Sequence, residues 1–517
     1  MMANLKALIA VLVVAALVFR FVKPVALLFS SERDFVRRRN IWLVLTAVAF
    51  LSPSFWLFVL VAAPLLVWGG REDSNPVAFY LSLLHVIPPI AVNIPIVGIN
   101  TLFALDNYRL LSFCVLIPTA WRLREHPEVT RIQGLQAMDL LLLGYGLLQV
   151  VLFVPPDLPH HVILQDSATN VVRRAALFFV DIYILYYVVS RYCTTSRAIA
   201  EAMAAYCVAS ATMAAIAVIE SLKGWLLYVD ISSRWGNDLG ASFYLLRGDT
   251  LRAQVSTGHA LALGYLLAIA FGFWLHLQSQ VPERRFRIGI GLLLWFGLIA
   301  AYSRGPWAGA IAMYFIFAAL GPRALPRLVK SVGAAALVST VLFLSPLGEK
   351  IVQVLPFMGG SVDSGNVQYR QRLATRSWEL IQQHPWFGDQ HAYTKMDDLR
   401  QGQGIIDLVN TYAEVALFYG LVGLLLLIGF VLVGAARAFW KAKIGGTDPQ
   451  FSSLGISLVA SILGVLIMIA TSSFILGLPP LYFVIGGLLS AYSQLRVAPK
   501  SSAGLAARRS ARRIVTP

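Results

Sequence analysis

Apolar runs long enough to cross a hydrocarbon layer of roughly 30 Å recur along the whole chain. They are clearest at 136–154, 174–191, 199–220, 255–276, 286–302, 305–320, 330–346, 411–434, 452–475 and 479–494. Residues 5–22 form another, with Arg20 and Lys23 after the apolar run and no small-residue cleavage site, which predicts an anchor rather than a cleaved signal peptide. The stretch 41–69 is broken by Ser52-Pro53-Ser54, so it is either one kinked helix or a tight hairpin of two. Segments 76–93 and 108–121 complete a predicted set of about twelve to fifteen spans. The fold class that follows is all-α, a polytopic helical bundle in a membrane.

Polar positions orient that bundle. Basic residues gather in short connections: Arg122, Arg124 and Arg131; Arg191 and Arg197; Arg284, Arg285 and Arg287; Arg323, Arg327 and Lys330; Arg437, Lys441 and Lys443; then Lys500, Arg508, Arg509, Arg512 and Arg513. Each group is two spans from the next, so all share one side, which the positive-inside rule makes cytoplasmic. The connections 155–173, 222–252, 303–306 and 347–410 then fall outside. The last is long enough to expect an ordered, functional segment. The tail from Ala498 is small and basic, and is expected to be disordered.

Composition agrees: 58% of residues are hydrophobic and 13% charged, against roughly 25% charged in soluble proteins. Mean hydropathy is +0.71. The net charge of +16 is largely this topology signal and does not call for nucleic acid. Cys114, Cys193 and Cys207 lie in or beside apolar segments without paired or metal-type spacing.

Against the same rule, arginines also stand at the outer face: Arg173, Arg174, Arg234, Arg247, Arg252, Arg304, Arg370, Arg372 and Arg376. Singly, each either snorkels to headgroups or serves a site. Together they suit an anionic substrate, because guanidinium forks bind phosphate oxygens bidentately. Residues Tyr369–His384 read as an amphipathic helix with Tyr369, Leu373, Leu380 and His384 in one stripe, Arg376 inside it and Arg372 at its edge. That helix either lies on lipid or covers a cavity. His384, before Pro385, is either a helix end or a catalyst. Thr411 and Glu414 have capping-box spacing, whereas Asp407 has no equally good structural role and is a candidate general base. No phosphate-cradling Gly-x-x-x-x-Gly-Lys loop, His-Glu-x-x-His or Gly-x-Ser-x-Gly occurs, which argues against an ATP-driven pump.

The order Ser303-Arg304-Gly305, Arg372-Leu373, Trp378, His384-Pro385-Trp386-Phe387-Gly388, Asn410-Thr411-Tyr412 and Gly420-Leu421-Val422-Gly423 resembles the O-antigen ligase and polymerase superfamily over about residues 240 to 435. The resemblance implies a C-type glycosyltransferase architecture and a metal-independent, inverting transfer without a cofactor. The implied donor is a glycan on undecaprenyl diphosphate, presented at the periplasmic face of the bacterial inner membrane. The acceptor is a sugar of the lipid A core in ligases and another lipid-linked repeat unit in polymerases. The chain departs from the ligase pattern at Val409, where a His is usual, and at Phe418, where an acidic residue is usual. A polymerase or exopolysaccharide-type member is therefore favoured over a ligase, with a lipid-linked oligosaccharide flippase as the rival of another class. In this assignment Arg252, Arg304, Arg372 and Arg376 bind the diphosphate. Asp407, Glu414 and His384 are the catalytic candidates, and no metal is bound. Trp378 and Trp386 either stack on sugars or pack against helices, the second being favoured. The expected divisions are 1–239 (N-terminal helices), 240–435 (core, including the loop 347–410), 436–497 (C-terminal helices) and 498–517 (tail).

Overall fold

The computed structural model describes residues 2–96, 99–124, 136–152, 168–235, 246–247, 250–322, 324–344, 364–400, 406, 408–444, 448–472 and 479–496. Among these residues the chain is helix upon helix, with two short antiparallel hairpins. Seven helices are long and apolar enough to cross a membrane: Asn4–Ala26, Phe55–Glu72, Ala175–Tyr192, Ser196–Lys223, Ala260–Gln280, Thr411–Ile444 and Pro449–Ile469. Further helices at Glu32–Leu51, Ala137–Leu152, Arg284–Ala300, Arg304–Leu320, Ala324–Leu344 and Pro479–Gln494 lie on the remaining apolar runs. The protein is an all-α polytopic membrane bundle. Its tail beyond Arg496 and the residues 345–363 lie outside the described set.

The break at Ser52-Pro53-Ser54 makes a hairpin rather than a kink. Ser52 closes the first helix with its N–H on the Val48 carbonyl, and the Ser54 hydroxyl accepts the Leu57 N–H to open the second. Pro53 between them supplies no donor and cannot continue the helix.

The expectation of a single span over 76–93 is corrected. A helix runs only from Pro76 to Leu83, and the chain then forms a hairpin of Ala91–Ile96 with Ile99–Asp106, in the register Ala91↔Asp106 and Ile94↔Phe103. Pro88 and Pro89 end the helical option, and the ladder shifts between Ile94 and Ile96, at Pro95. The helix that follows, from Asn107 to Arg124, contains a π-turn at Ser112–Leu116.

The centre of the bundle is the helix Ala260–Leu277, in which every residue but Leu261 is buried. A helix that is apolar all round belongs inside. Pro449–Ile469 approaches Arg304–Leu320 closely where Gly309 and Gly464 meet, each with the other's carbonyl oxygen within 3.3 Å of where a Cβ would stand. Small residues permit this main-chain approach in lipid, where close packing holds helices together.

Two arginines are tied up inside, Arg191 from among the basic positions read as topology markers and Arg38. Arg191 is buried against Asp139, with Nη1 to Oδ1 at 2.8 Å. Arg38 bridges Asp73 at 2.6 Å and Glu201 at 2.7 Å, linking the Glu32–Leu51 helix to Ser196–Lys223.

A second, smaller core lies over one end of the bundle. Leu373, Leu380 and Ile381 of the helix Ser364–Gln383 pack with Ala392, Met396 and Leu399 of a 3₁₀ turn, with Ile406 and Leu408, and with Ala416 and Leu417 of the long helix Thr411–Ile444. Its helix presents Tyr369, Leu373 and Leu380 of the stripe expected from sequence, while His384 falls beyond the helix end and is exposed.

Candidate functional site

Three chain segments converge where this small core meets the bundle. The first is the turn after Leu251. Ala253 donates its N–H to the Ala300 carbonyl at 3.0 Å, which seats Arg252 beside the end of the Arg284–Ala300 helix. The Arg252 guanidinium then donates to the Ser303 hydroxyl at 2.7 Å. Burial pushes that guanidinium below its ordinary value.

The second segment is Tyr302-Ser303-Arg304, a tight reversal between two helices. Arg304 begins the Arg304–Leu320 helix, and its Nε is buried without a hydrogen-bond partner among the described residues. Gly305 sits against the turn at Thr471, where a Cβ would stand 2.5 Å from the Thr471 hydroxyl. Arg370, from the loop helix, acts on Arg304 as a like charge.

The third segment opens the long helix. Thr411 donates to the Ser472 carbonyl at 2.8 Å, and Tyr412 donates to the Leu466 carbonyl at 2.6 Å. Tyr265 and Ser472 share a hydrogen bond between hydroxyls. The turn at Thr471 and Ser472 thus joins the Arg304 turn to the start of the long helix. Arg252, Arg304 and the Asn410–Glu414 turn stand at one end of the bundle.

The capping-box reading of Thr411 and Glu414 is corrected by one residue. Asn410 is the cap, its side-chain oxygen accepting N–H groups from Tyr412 at 2.9 Å and Ala413 at 3.2 Å. With Asn410 as the cap, Glu414 stands one position past the acidic place of a capping box. It is half-buried, and its charge acts on Tyr145 and Tyr482. Asp407 lies outside the described residues.

Backbone strain collects here. Among the described residues the non-glycine positions with positive φ are Val255 (49°), Tyr302 (50°) and Val409 (49°). Each stands within three residues of an expected site residue: Arg252, Arg304 and Asp407. Such conformations are costly for β-branched and bulky residues and persist where their surroundings impose them.

The motif His384-Pro385-Trp386-Phe387-Gly388 is a main-chain latch. The long helix is broken at Gly420 (φ 64°, ψ −168°), which frees backbone groups. The Leu421 N–H is donated to the Pro385 carbonyl at 2.8 Å and the Val422 N–H to the Trp386 carbonyl at 3.2 Å, while the Leu417 carbonyl accepts the Asp389 N–H at 2.7 Å. Gly388, at φ 68°, fits because a Cβ there would lie 2.6 Å from the Leu417 oxygen. His384 follows the loop helix with its side chain exposed and its carbonyl taking the Gly388 N–H.

Asp389 fastens the loop to itself. Burial would raise its pKa, but the Lys395 ammonium at 2.6 Å and the His391 N–H at 2.9 Å hold its carboxyl below the ordinary value.

The expected arginines divide. Arg372 is exposed, and Arg376 is held within the loop by Glu379 at 2.9 Å and the Lys395 carbonyl at 3.2 Å. Arg370, on the other edge of the stripe, is the one whose charge reaches Arg304. Trp378 and Trp386 are 62% and 63% exposed, so packing against the helices is not their role. Ser303, which receives Arg252, stood in the sequence beside Arg304 but carried no separate signal.

A search of curated proteins returns no match. The segment carrying the Arg304 turn, the loop helix, the latch and the first part of the long helix does have a counterpart: residues 289–428 match the family model described as O-Antigen ligase, which supports the resemblance of this part of the chain to the O-antigen ligase and polymerase superfamily, a family of membrane enzymes that transfer glycosyl groups.

Proposed function

We propose that the protein extends or transfers a glycan carried on undecaprenyl diphosphate, acting at the periplasmic face of the inner membrane, with polymerisation favoured over ligation to lipid A core. The observation that carries this reading is Arg304 at the helix start, its Nε buried without a hydrogen-bond partner among the described residues. Arg252 stands beside it on Ser303, and Arg370 acts on it as a like charge. The buried Nε of Arg304 asks for an anionic acceptor. A diphosphate supplies it.

In this mechanism an acceptor hydroxyl attacks the anomeric carbon from the face opposite the diphosphate. The new C–O bond forms as the bond to the diphosphate oxygen breaks, and the leaving group departs with the electron pair and with inversion. Arg252, Arg304 and Arg370, with Arg372 at the rim, meet the charge that develops on it. Arg376, engaged by Glu379, stands in reserve. The hydroxyl proton passes to Asp407 or Glu414. Val409, in place of the usual ligase His, is the reason the favoured acceptor is another lipid-linked repeat unit.

The test uses purified protein in nanodiscs with an undecaprenyl-diphosphate-linked repeat unit, with chelator and without nucleotide. Longer lipid-linked chains and released undecaprenyl diphosphate are expected. Transfer that appears only when lipid A core is added would replace polymerisation by ligation. Silence with both acceptors, together with movement of the lipid-linked glycan between leaflets, would favour a flippase.

A further inference from the structure

Glu220 is a carboxylate inside the bundle that the mechanism above leaves unused. It lies in the last turns of the Ser196–Lys223 helix and is 1% exposed. No Lys or Arg lies within 4 Å of it among the described residues. Instead its two oxygens collect backbone N–H groups. Oε1 accepts from Leu227 at 2.9 Å; Oε2 accepts from Gln254 at 3.0 Å and from Val255 at 2.8 Å.

The first of these bonds closes the end of Glu220's own helix, where Gly224 turns the chain at φ 61°. The other two hold the segment that carries Arg252. Val255 sits there at φ 49°, a conformation a β-branched residue rarely adopts unless something imposes it. The carboxylate imposes it by drawing two successive N–H groups onto one oxygen. Ser256 adds a further tie, its hydroxyl on the His85 carbonyl, and Ala253 is tied to Ala300. From this turn the Arg252 guanidinium reaches the Ser303 hydroxyl, next to Arg304.

We propose that Glu220 is the positioning residue of the site: its carboxylate templates the 252–257 turn and so aims the Arg252 guanidinium at the leaving diphosphate. This rests on the proposed function. Glu220 does not touch the substrate; it acts through Arg252. An aimed guanidinium counts most where charge develops, so the loss should fall on kcat rather than KM.

The test compares the full-length protein with Glu220→Gln, which keeps the shape but turns one acceptor oxygen into a donor. Hydrogen exchange of the amides at 254 and 255 reads the template without reference to any activity. Faster exchange there, with the protection of the flanking helices kept, is expected, and unchanged exchange overturns the proposal. In turnover, kcat should fall on the order of 10-fold to 100-fold with KM nearly unchanged, the scale of a weakened charge-stabilising contact. The double variant Glu220→Gln with Arg252→Lys should be no slower than Arg252→Lys alone, because both act through one guanidinium. Additive losses would mean that Glu220 acts by another route. If Glu220→Gln does not fold, Glu220→Asp, which keeps the charge one methylene short, takes its place in all three measurements. A wild-type protein without any transfer would overturn the proposed function and the catalytic half of this inference, and the exchange measurement would still decide the template.

Discussion

A Cβ on Gly420 would stand 2.2 Å from the carbonyl oxygen of Trp386, a separation no side chain can occupy. The contact joins a break in a membrane helix to a loop more than thirty residues upstream, and it exists because Gly420 adopts a backbone conformation reserved for glycine. Gly420→Ala should therefore cost about 1–3 kcal/mol in backbone strain before any clash is counted. Limited proteolysis between residues 364 and 400 should report an unlatched loop, while the remainder of the bundle keeps its thermal transition.

Arg304 and Arg370 give the sharpest contrast within one surface. Arg304→Ala should reduce turnover on the order of 10²–10³ if it stabilises the departing diphosphate. Arg370→Ala should slow turnover in the same sense, whereas Arg376→Ala removes an exposed pair with Glu379 and an exposed hydrogen bond to the Lys395 carbonyl and should change stability by about 1 kcal/mol or less. Initial rates for the three variants at saturating donor settle the ranking, and equal rates for Arg304→Ala and wild type would remove the proposed mechanism.

The Asp389–Lys395 pair predicts a pH response of the loop. The carboxyl is held below its ordinary value, so its contribution is complete above the unfolded value of about 3.9. That contribution is lost as pH falls through the lower native value. Asp389→Asn should therefore destabilise the loop near pH 7, and the difference from wild type should close as the pH is taken toward 3. Loop proteolysis across that range with an acid-tolerant protease measures it.

At the start of the long helix, the cap and the candidate base should separate. Asn410→Ala removes the acceptor of two N–H groups and should cost about 1 kcal/mol. Glu414→Gln leaves the Asn410 cap in place. A loss of turnover on the order of 10²–10⁴ with the melting temperature unchanged would mark Glu414 as the proton acceptor. Full activity would move that role to Asp407.

Spans were legible wherever an apolar run was long and ended in a charge or a helix breaker. The ten clear runs from 136 onward each carry a helix among the described residues, although the run 255–276 opens with a turn and becomes an α-helix only at Ala260. Residues 76–106 were not legible, because a short apolar run carries no periodicity that separates a buried helix from a buried strand. Pro88, Pro89 and Pro95 were the available signals. At the site, sequence placed Arg252 and Arg304 at span ends and the structure brings them together through Ser303. It could not choose between the edges of the loop helix. Helical spacing says which residues share a face, and only the docking of that face shows that Arg370, rather than Arg372 on the opposite edge, acts on Arg304. The cap moved from Thr411 to Asn410 because both residues suit the position, and the carbonyl of Ser472, sixty-one residues away, claims the threonine hydroxyl.

The latch between Pro385–Asp389 and Leu417–Val422 is written in peptide groups: two N–H donors released by Gly420, one donor from Asp389, and the carbonyls that receive them. Any side chain can hang from a peptide group. The exposed surface of the loop helix can therefore change its residues without loosening the loop's seat on the bundle, provided the two glycines stay. A change in the glycan handled at this face could then be accommodated by substitution on that surface alone. The sequence would drift there while the joint beneath it stayed fixed.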